Sequence, residues 1–163
     1  MARWLWLSLL VLALDQGSKW LALATLDAYQ PHLVTSFLNW TLMYNSGAAF
    51  SFLSDAGGWQ RWFFVTVALA MSLVLSVWLM RLKAGEGWLA AGLALIIGGA
   101  LGNLVDRALL GHVVDFIQVS IPAIQLAIFN PWPAFNIADS AIFVGVAILL
   151  VMGLRAEDPK ESN

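Results

Sequence analysis

The sequence predicts an all-α membrane protein with four transmembrane helices and a small β-structure at one end. Three observations lead to this fold class. Of the 163 residues, 61% are hydrophobic and 11% are charged, and the mean hydropathy is +0.81, whereas soluble domains are about 25% charged. Four apolar runs are long enough to cross a bilayer. In the two long connections between them, residues 26–61 and 108–133, the only lysine or arginine is Arg61, at the edge of the second run. The length favours a single domain over residues 1–163.

The four apolar segments cover residues 4–24, 62–80, 88–105 and 134–154. Each approaches the roughly 20 residues that a membrane-spanning helix needs. A cleaved signal peptide is an alternative interpretation of the first segment, because Arg3 precedes an apolar run. The charged tail, residues 156–163, is predicted to be disordered.

The basic residues predict the orientation of the chain. Arg3, Arg81, Lys83, Arg155 and Lys160 fall at the N-terminus, in the connection after the second helix, or in the tail. Because positive charge accumulates on the cytoplasmic side, both termini are predicted to be cytoplasmic and both long connections to lie outside.

Two stretches in the long connections predict strands. Residues 37–45 alternate, which places Leu38, Trp40, Leu42 and Tyr44 on one apolar face. Residues 113–117 are short and rich in β-branched side chains. A small sheet at the outer surface is therefore expected.

Several polar side chains interrupt the apolar segments, where an ionisable group costs about 2.5–3.5 kcal/mol. Asp15 and Lys19 are four residues apart on one helix face and are interpreted as a structural ion pair. Asp106 and Arg107 end the third segment, one turn after Asn103. Arg107 is either a snorkelling side chain at a helix end or a clamp for peptide carbonyls.

Asp115 and Asp139 are the strongest candidates for chemistry. Asp115 lies in an apolar extended run, and Asp139 lies near the start of the fourth helix with Asn136 three residues before it. The alternatives are a solvated loop aspartate for Asp115 and a helix-capping carboxylate for Asp139. If the two meet in a low-dielectric site, one keeps a proton while the other activates water. Such a pair hydrolyses an amide without a metal or a nucleophilic side chain.

The sequence gives little support to nucleic-acid binding or to a metal or cofactor site. The net charge of −2 and the absence of a basic stripe argue against a nucleic-acid partner. There is no cysteine, and His32 and His112 are far apart without an acidic cluster, so neither a metal nor another cofactor is expected. A proton-coupled carrier and a purely structural membrane subunit remain as rivals. A carrier would place its acids near the midplane and often shows repeats, and this sequence has no evident internal repeat.

Five blocks in order resemble bacterial lipoprotein signal peptidase, or signal peptidase II, over essentially the whole chain. They are LDQ at residues 14–16 with Lys19, YNSGAAFS at 44–51, GGALGNLVDR at 98–107, GHVVDFI at 111–117 and PAFNIADS at 133–140. The resemblance implies four helices with a small β-cradle on the outer, periplasmic side of the bacterial inner membrane. One segment departs from the family pattern: residues 119–132 look long and apolar, and Ile121, Ile124 and Ile128 are consistent with a short surface helix.

The resemblance also implies roles for individual residues. It makes Asp115 and Asp139 the catalytic aspartates. The substrate-binding positions are Asn45, Gly47, Asn103, Arg107 and Asn136, and the supporting charged positions are Asp15, Lys19 and Asp106. The implied reaction is removal of the signal peptide from a diacylglyceryl-modified prolipoprotein, just before the lipidated cysteine. Inhibition by globomycin, contact with membrane lipid and action as a monomer are further expectations.

Overall fold

The computed structural model describes residues 1–47, 57–121 and 130–156. Within these ranges the order of elements is α1 (Leu5–Thr25), β1 (Pro31–Leu33), β2 (Leu38–Asn45), α2 (Trp59–Arg81), α3 (Gly87–Leu110), β3 (Val113–Val119) and α4 (Ile137–Ala156). A 3-10 turn, Ala2–Trp4, leads into α1. The predicted tail beyond residue 156 and most of the predicted surface helix, residues 122–129, lie outside the described residues.

Among the described residues, four helices are long and apolar enough to cross a membrane, as the apolar segments predicted. Helix α3 is the most buried of them, because it packs against α1, α2 and α4. Its contact with α1 follows the small residues of α3: a Cβ on Gly98 would lie 2.7 Å from the Ser8 carbonyl oxygen. Small residues at such a crossing let two helices approach closely in lipid.

Three predicted helix boundaries were wrong. Helix α2 begins at Trp59, three residues before the predicted residue 62, and polar contacts explain the other two. Helix α3 continues to Leu110, beyond the predicted end at residue 105, because Asn103 and Asp106 are buried and hydrogen-bonded within the bundle. Helix α4 begins at Ile137, later than the predicted residue 134. Before it, the Phe135 N–H donates to the Ile117 carbonyl oxygen at 2.9 Å, so this segment extends along β3.

A three-stranded antiparallel sheet, in the order β1–β2–β3, lies at the end of the bundle where α1 and α3 finish. We call this the sheet end. The strands predicted at residues 37–45 and 113–117 are confirmed. The single apolar face predicted for the first of them is wrong, because the register shifts between Trp40 and Met43. Leu42 is buried, whereas Trp40 on the other side of this shift is exposed. Tyr44, near the end of the strand, is exposed as well. Such a bulge bends a strand and redirects its side chains.

Candidate active site

Asp115 and Asp139 come together at the sheet end although they belong to different elements. Asp115 lies on β3 and is 3% exposed, so the alternative of a solvated loop aspartate is wrong. Asp139 lies in the first turn of α4. Both carboxylates line one cavity of about 750 Å³, together with Asn45, Asn103 and Arg107. The structure thus gathers half of the ten site residues that the sequence singled out around one cavity.

Asn136 joins the two carboxylates. It is fully buried, and its Nδ2 donates to Asp115 Oδ1 at 2.7 Å. Its Oδ1 accepts the Asp139 N–H at 2.9 Å, and its own N–H donates to Asp139 Oδ2 at 3.3 Å. This reciprocal pair is a capping box at the start of α4. The capping interpretation of Asp139 is therefore correct, and the same carboxylate also faces the cavity.

Two further asparagines donate to the carboxylates. Asn103 Nδ2 donates to Asp139 Oδ1 at 2.8 Å, and its Oδ1 accepts from Asn136 Nδ2 at 3.1 Å. Asn45 Nδ2 donates to Asp115 Oδ2 at 3.3 Å. Each carboxylate is thereby oriented by at least two donors from neighbouring elements, which fixes its position relative to the cavity.

Burial raises the pKa of Asp115 to about 7, and the negative charge of Asp139 acts in the same direction. Hydrogen bonds from Asn45 and Asn136 and the charge of Lys19 oppose this rise in pKa. Since a buried carboxyl beside a second carboxylate keeps its proton more readily, Asp115 is suited to carry a proton near neutral pH.

A buried charge cluster of Asp15, Lys19 and Asp106 contacts the polar residues of the site. Lys19 Nζ lies 2.8 Å from Asp15 Oδ2 and 2.9 Å from Asp106 Oδ2, and it donates to Asn103 Oδ1 at 3.0 Å. The predicted ion pair of Asp15 and Lys19 is therefore present, and the structure adds Asp106 to it. The three charged side chains are at most 3% exposed.

The cluster connects four elements. Asp15 of α1 accepts the N–H of Ala138, in the first turn of α4, at 2.9 Å. Asp106 of α3 accepts the Val114 N–H of β3 at 3.0 Å. Sequence reasoning gave no role to Gln16, whose Nε2 donates to Asp106 Oδ1 at 2.9 Å and to the Gly102 carbonyl oxygen at 3.2 Å. Its only signal was a polar side chain inside an apolar segment.

Arg107 and Gly47 form the side of the site nearest β2. Arg107 is partly buried, and its NH2 donates to the Gly47 carbonyl oxygen at 2.7 Å. The alternative of a snorkelling side chain is therefore wrong. Gly47 N–H in turn donates to Asn45 Oδ1 at 3.0 Å. Within the described part of the chain, no three histidine or carboxylate side chains are arranged to hold a metal ion.

Lys19→Met is expected to destabilise the protein by about 3–5 kcal/mol, because it leaves two buried carboxylates without their ammonium partner. Thermal unfolding in detergent measures the effect as a fall in Tm. Lys83→Met, at the opposite end of the bundle, is the matched control and should leave Tm nearly unchanged. Equal Tm values for the two variants would contradict a structural role for the cluster.

The fold and the site together define a multi-pass membrane enzyme with a bridged pair of carboxylates. Residues 7–155 match the family model described as signal peptidase (SPase) II. The chain belongs to the signal peptidase II family and is a peptidase, which confirms the resemblance inferred from the five blocks.

Relatives in several bacteria agree with this assignment. Lipoprotein signal peptidase of Pseudomonas paraeruginosa (strain DSM 24068 / PA7) is 53% identical over 162 residues, covering 98% of this chain and 92% of the relative. Lipoprotein signal peptidase of Pseudomonas fluorescens (strain Pf0-1) is 56% identical over 98% of this chain and 91% of the relative. The Acinetobacter baumannii protein of the same name is 50% identical, over 98% of this chain and 89% of its own length.

Solved structures resemble the whole chain. A bacterial membrane enzyme determined by the in meso method at 2.3 Å resolution superposes with a TM-score of 0.85 at 28% identity, covering 100% of this chain and 94% of that one. A second, determined at 1.9 Å resolution, superposes with a TM-score of 0.79 at 29% identity, covering 97% and 95% of the two chains.

Proposed function

We propose that this protein is an aspartic endopeptidase that works within the membrane and removes the signal peptide from diacylglyceryl-modified prolipoproteins. It cleaves the peptide bond just before the lipidated cysteine. The observation that carries the proposal is the pair of carboxylates, Asp115 and Asp139, which line one cavity and share Asn136 as a bridge. The lipoprotein signal peptidases similar to this chain support the choice of substrate.

In the proposed mechanism Asp139 is the base and Asp115 is the acid. The positive end of the α4 dipole favours the anionic form of a carboxylate in its first turn, and the raised pKa of Asp115 favours the protonated form there. Asp139 takes a proton from water as the water oxygen attacks the scissile carbonyl carbon, while Asp115 donates its proton to the carbonyl oxygen. When the tetrahedral intermediate collapses, Asp139 returns a proton to the leaving amine and Asp115 recovers its own.

The walls of the cavity suit a lipidated peptide. Asn45 and Arg107 stand at its polar side and would hold peptide carbonyls, with Gly47 as part of their support. Phe143 and Val144 form an apolar side one turn below Asp139 on α4, and both are exposed toward the membrane. A diacylglyceryl group would leave the cavity on this apolar side, while the peptide follows the sheet.

The location of the site follows from charge. Arg3, Arg81, Lys83 and Arg155 lie at the end of the bundle opposite the sheet. We place that end and both termini in the cytoplasm, and the site at the outer face of the bacterial inner membrane. The chain is expected to act as a monomer and a single domain, and to be inhibited by globomycin.

The test is cleavage by the purified protein in detergent. A diacylglyceryl-modified prolipoprotein and the same precursor without the lipid are incubated in parallel, and mass spectrometry locates the cleaved bond. We expect cleavage just before the cysteine of the lipidated precursor, little cleavage of the unmodified one, and inhibition by globomycin. Absence of cleavage by well-folded protein would contradict the proposal, and proton flux in liposomes would then test the carrier hypothesis.

The pH dependence of kcat/KM tests the assignment of the acid. A general acid must be protonated, and Asp115 loses its proton as the pH rises through its pKa of about 7. We expect kcat/KM to fall above about pH 7, approaching tenfold for each further pH unit, since this parameter reports the free enzyme. Activity that stays constant up to pH 9 would contradict the role of Asp115 as the acid.

A further inference from the structure

The guanidinium of Arg107 makes both hydrogen bonds and an aromatic contact. In its plane, NH2 donates to the Gly47 carbonyl oxygen at 2.7 Å, and NH1 makes a long contact, 3.4 Å, with the Asn103 carbonyl oxygen. Nε is buried and finds no hydrogen-bond partner among the described residues. The Arg107 Cζ lies over the ring of Phe64, 5.1 Å from the ring centroid. Among the described residues, two backbone carbonyl oxygens accept hydrogen bonds from this cation. The charges of Asp139, Asp115 and Asp106 also act on it, and the ring of Phe64 is its aromatic contact.

Phe64 reaches Arg107 from a different helix. It lies in the second turn of α2, is partly buried, and packs its edge against Phe63 with ring centroids 5.4 Å apart. No sequence signal distinguished Phe64 from the other aromatic residues of α2. A cation over an aromatic face is attracted by the negative charge of the π-system, and the attraction grows when water is excluded.

A chain of contacts leads from Phe64 to Asp115. Arg107 holds the Gly47 carbonyl oxygen, and the Gly47 N–H donates to Asn45 Oδ1 at 3.0 Å. Asn45 Nδ2 then donates to Asp115 Oδ2 at 3.3 Å. Arg107 thus holds residues 45–47, at the end of β2, against Asp115. Arg107 itself packs on the ring of Phe64.

We propose that Phe64 is a positioning residue of the peptidase: its ring face holds the Arg107 guanidinium, and through residues 45–47 it keeps the Asn45 amide on Asp115. The inference rests on the proposed function, because its effect is read through cleavage. A simpler alternative is that Phe64 only fills space beside Arg107. The two differ in what matters about the ring, since the proposal requires its π-electrons and the alternative requires only its volume.

Ring fluorination separates the two. Phe64 is replaced by phenylalanines carrying one, two or three ring fluorines, incorporated at a nonsense codon, and cleavage of the diacylglyceryl-modified prolipoprotein is measured. Successive fluorines remove negative charge from the ring face with little change in size. We expect kcat/KM to fall stepwise along the series. Phe64→Leu should lower kcat/KM about 2- to 30-fold, the range estimated for cation–π contributions. Phe64→Trp keeps an aromatic face and should have a kcat/KM much closer to that of the wild type.

The pH profile gives a second readout. The Asn45 hydrogen bond lowers the pKa of Asp115, so loosening it should move the alkaline limb of kcat/KM to higher pH in Phe64→Leu. Among the described residues, the charged groups that act on Asp115 or on Arg107 are Lys19 on α1, Asp106 on α3 and Asp139 on α4. None of them is replaced, and neither is Arg107. A variant that merely packs less well would lose activity without moving this limb.

Phe63 provides the matched control. It lies beside Phe64 on α2, is 47% exposed, and packs against Phe64 and Trp59. Phe63→Leu and the fluorinated series at position 63 should leave kcat/KM and the pH profile as in the wild type. Because fluorinated rings keep their size, the series decides the question even if Phe64→Leu unfolds, which thermal unfolding would reveal.

Three results would overturn the inference while leaving the peptidase intact. These are a flat fluorine series at position 64 beside an active wild type, the same trend at position 63, and a Phe64→Leu variant with the kcat/KM and pH profile of the wild type. A wild type that cleaves nothing would overturn both the inference and the proposed function.

Discussion

Asp139→Asn and Asp115→Asn are each expected to lower the rate of prolipoprotein cleavage by at least about 10³-fold. General acid–base groups contribute about 10²–10⁴-fold each, and the two carboxylates act together in the same chemical steps. The double variant should therefore be scarcely less active than either single one. The measurement is single-turnover cleavage with enzyme in excess, followed by mass spectrometry.

Folding and inhibitor binding provide the controls for these variants. Asparagine keeps the size of aspartate, and its carbonyl oxygen still accepts a bond from Asn136 at position 115. We expect both variants to be at least as thermally stable as the wild type and to bind globomycin. Cleavage that survived either substitution at more than about a tenth of the wild-type rate would contradict the aspartic mechanism, since even one lost acid or base costs more.

Asp115→Asn is also expected to unfold at a higher temperature than the wild type at pH 8. The pKa of Asp115 is raised in the folded state, to about 7, so this carboxyl supports folding below its unfolded pKa of about 3.9 and loses that contribution as the pH rises through about 7. Asparagine does not titrate. The Tm difference should be at least about 4 °C at pH 8 and should vanish near pH 4.

Gly99→Ala is expected to have the second largest effect on the cleavage rate and to lower stability as well. A Cβ at this position would clash with the Ala138 carbonyl oxygen and would lie 2.8 Å from Ile142 Cγ1. Backbone in the first turn of α4 has no room to yield, so α4 must move away from α3. Overpacking of this kind costs about 1–3 kcal/mol.

The displacement of α4 should also move the catalytic candidate Asp139, because Asp139 lies in the same turn as Ala138. The 2.8 Å bond from Asn103 Nδ2 to Asp139 Oδ1 spans the α3–α4 contact, and a shift of about 1 Å is enough to cost about 10²-fold in rate. We therefore expect a lower Tm and a cleavage rate reduced by about that factor.

Gly153→Ala, on α4, is the control for a glycine-to-alanine change that meets no neighbour. No heavy atom lies within 4 Å of a Cβ built there, and alanine favours a helix over glycine by up to about 1 kcal/mol. This variant should be as stable as the wild type or slightly more so, with full activity. A Gly99→Ala variant that behaved like Gly153→Ala would show that α4 tolerates the displacement.

The comparison between Asp115 and Asp139 illustrates what could be predicted. Both were recognised because carboxylates are costly in apolar surroundings and because their blocks match a known family. The surroundings of the two side chains were harder to predict from the sequence. Asp115 was as compatible with a solvated loop as with a buried strand, and the start of α4 depended on Asn136, whose capping role is visible only once the Asp139 N–H has a position.

Lys19 shows the same division. Its spacing from Asp15 predicted an ion pair on one helix face, and that pair is present. Its contacts with Asp106 and Asn103 join residues more than 80 positions apart in the chain, and no local spacing encodes them. The strand β1 and the register shift in β2 were not predicted for a related reason. Both depend on which strand pairs with which, and a local sequence pattern does not show that.

The sequence by itself determined the class of the fold, since four apolar runs in a chain with few charges have no soluble alternative. It also determined which residue types were available for chemistry and, through five ordered blocks, the family. Only the tertiary structure decided how these residues meet. The bridge of Asn136 between two carboxylates, the shared ammonium of Lys19 and the support of Arg107 by Phe64 all depend on distances between separate helices and strands. Those distances are set by close packing at small residues such as Gly99, whose effect appears only when the facing backbone is in place.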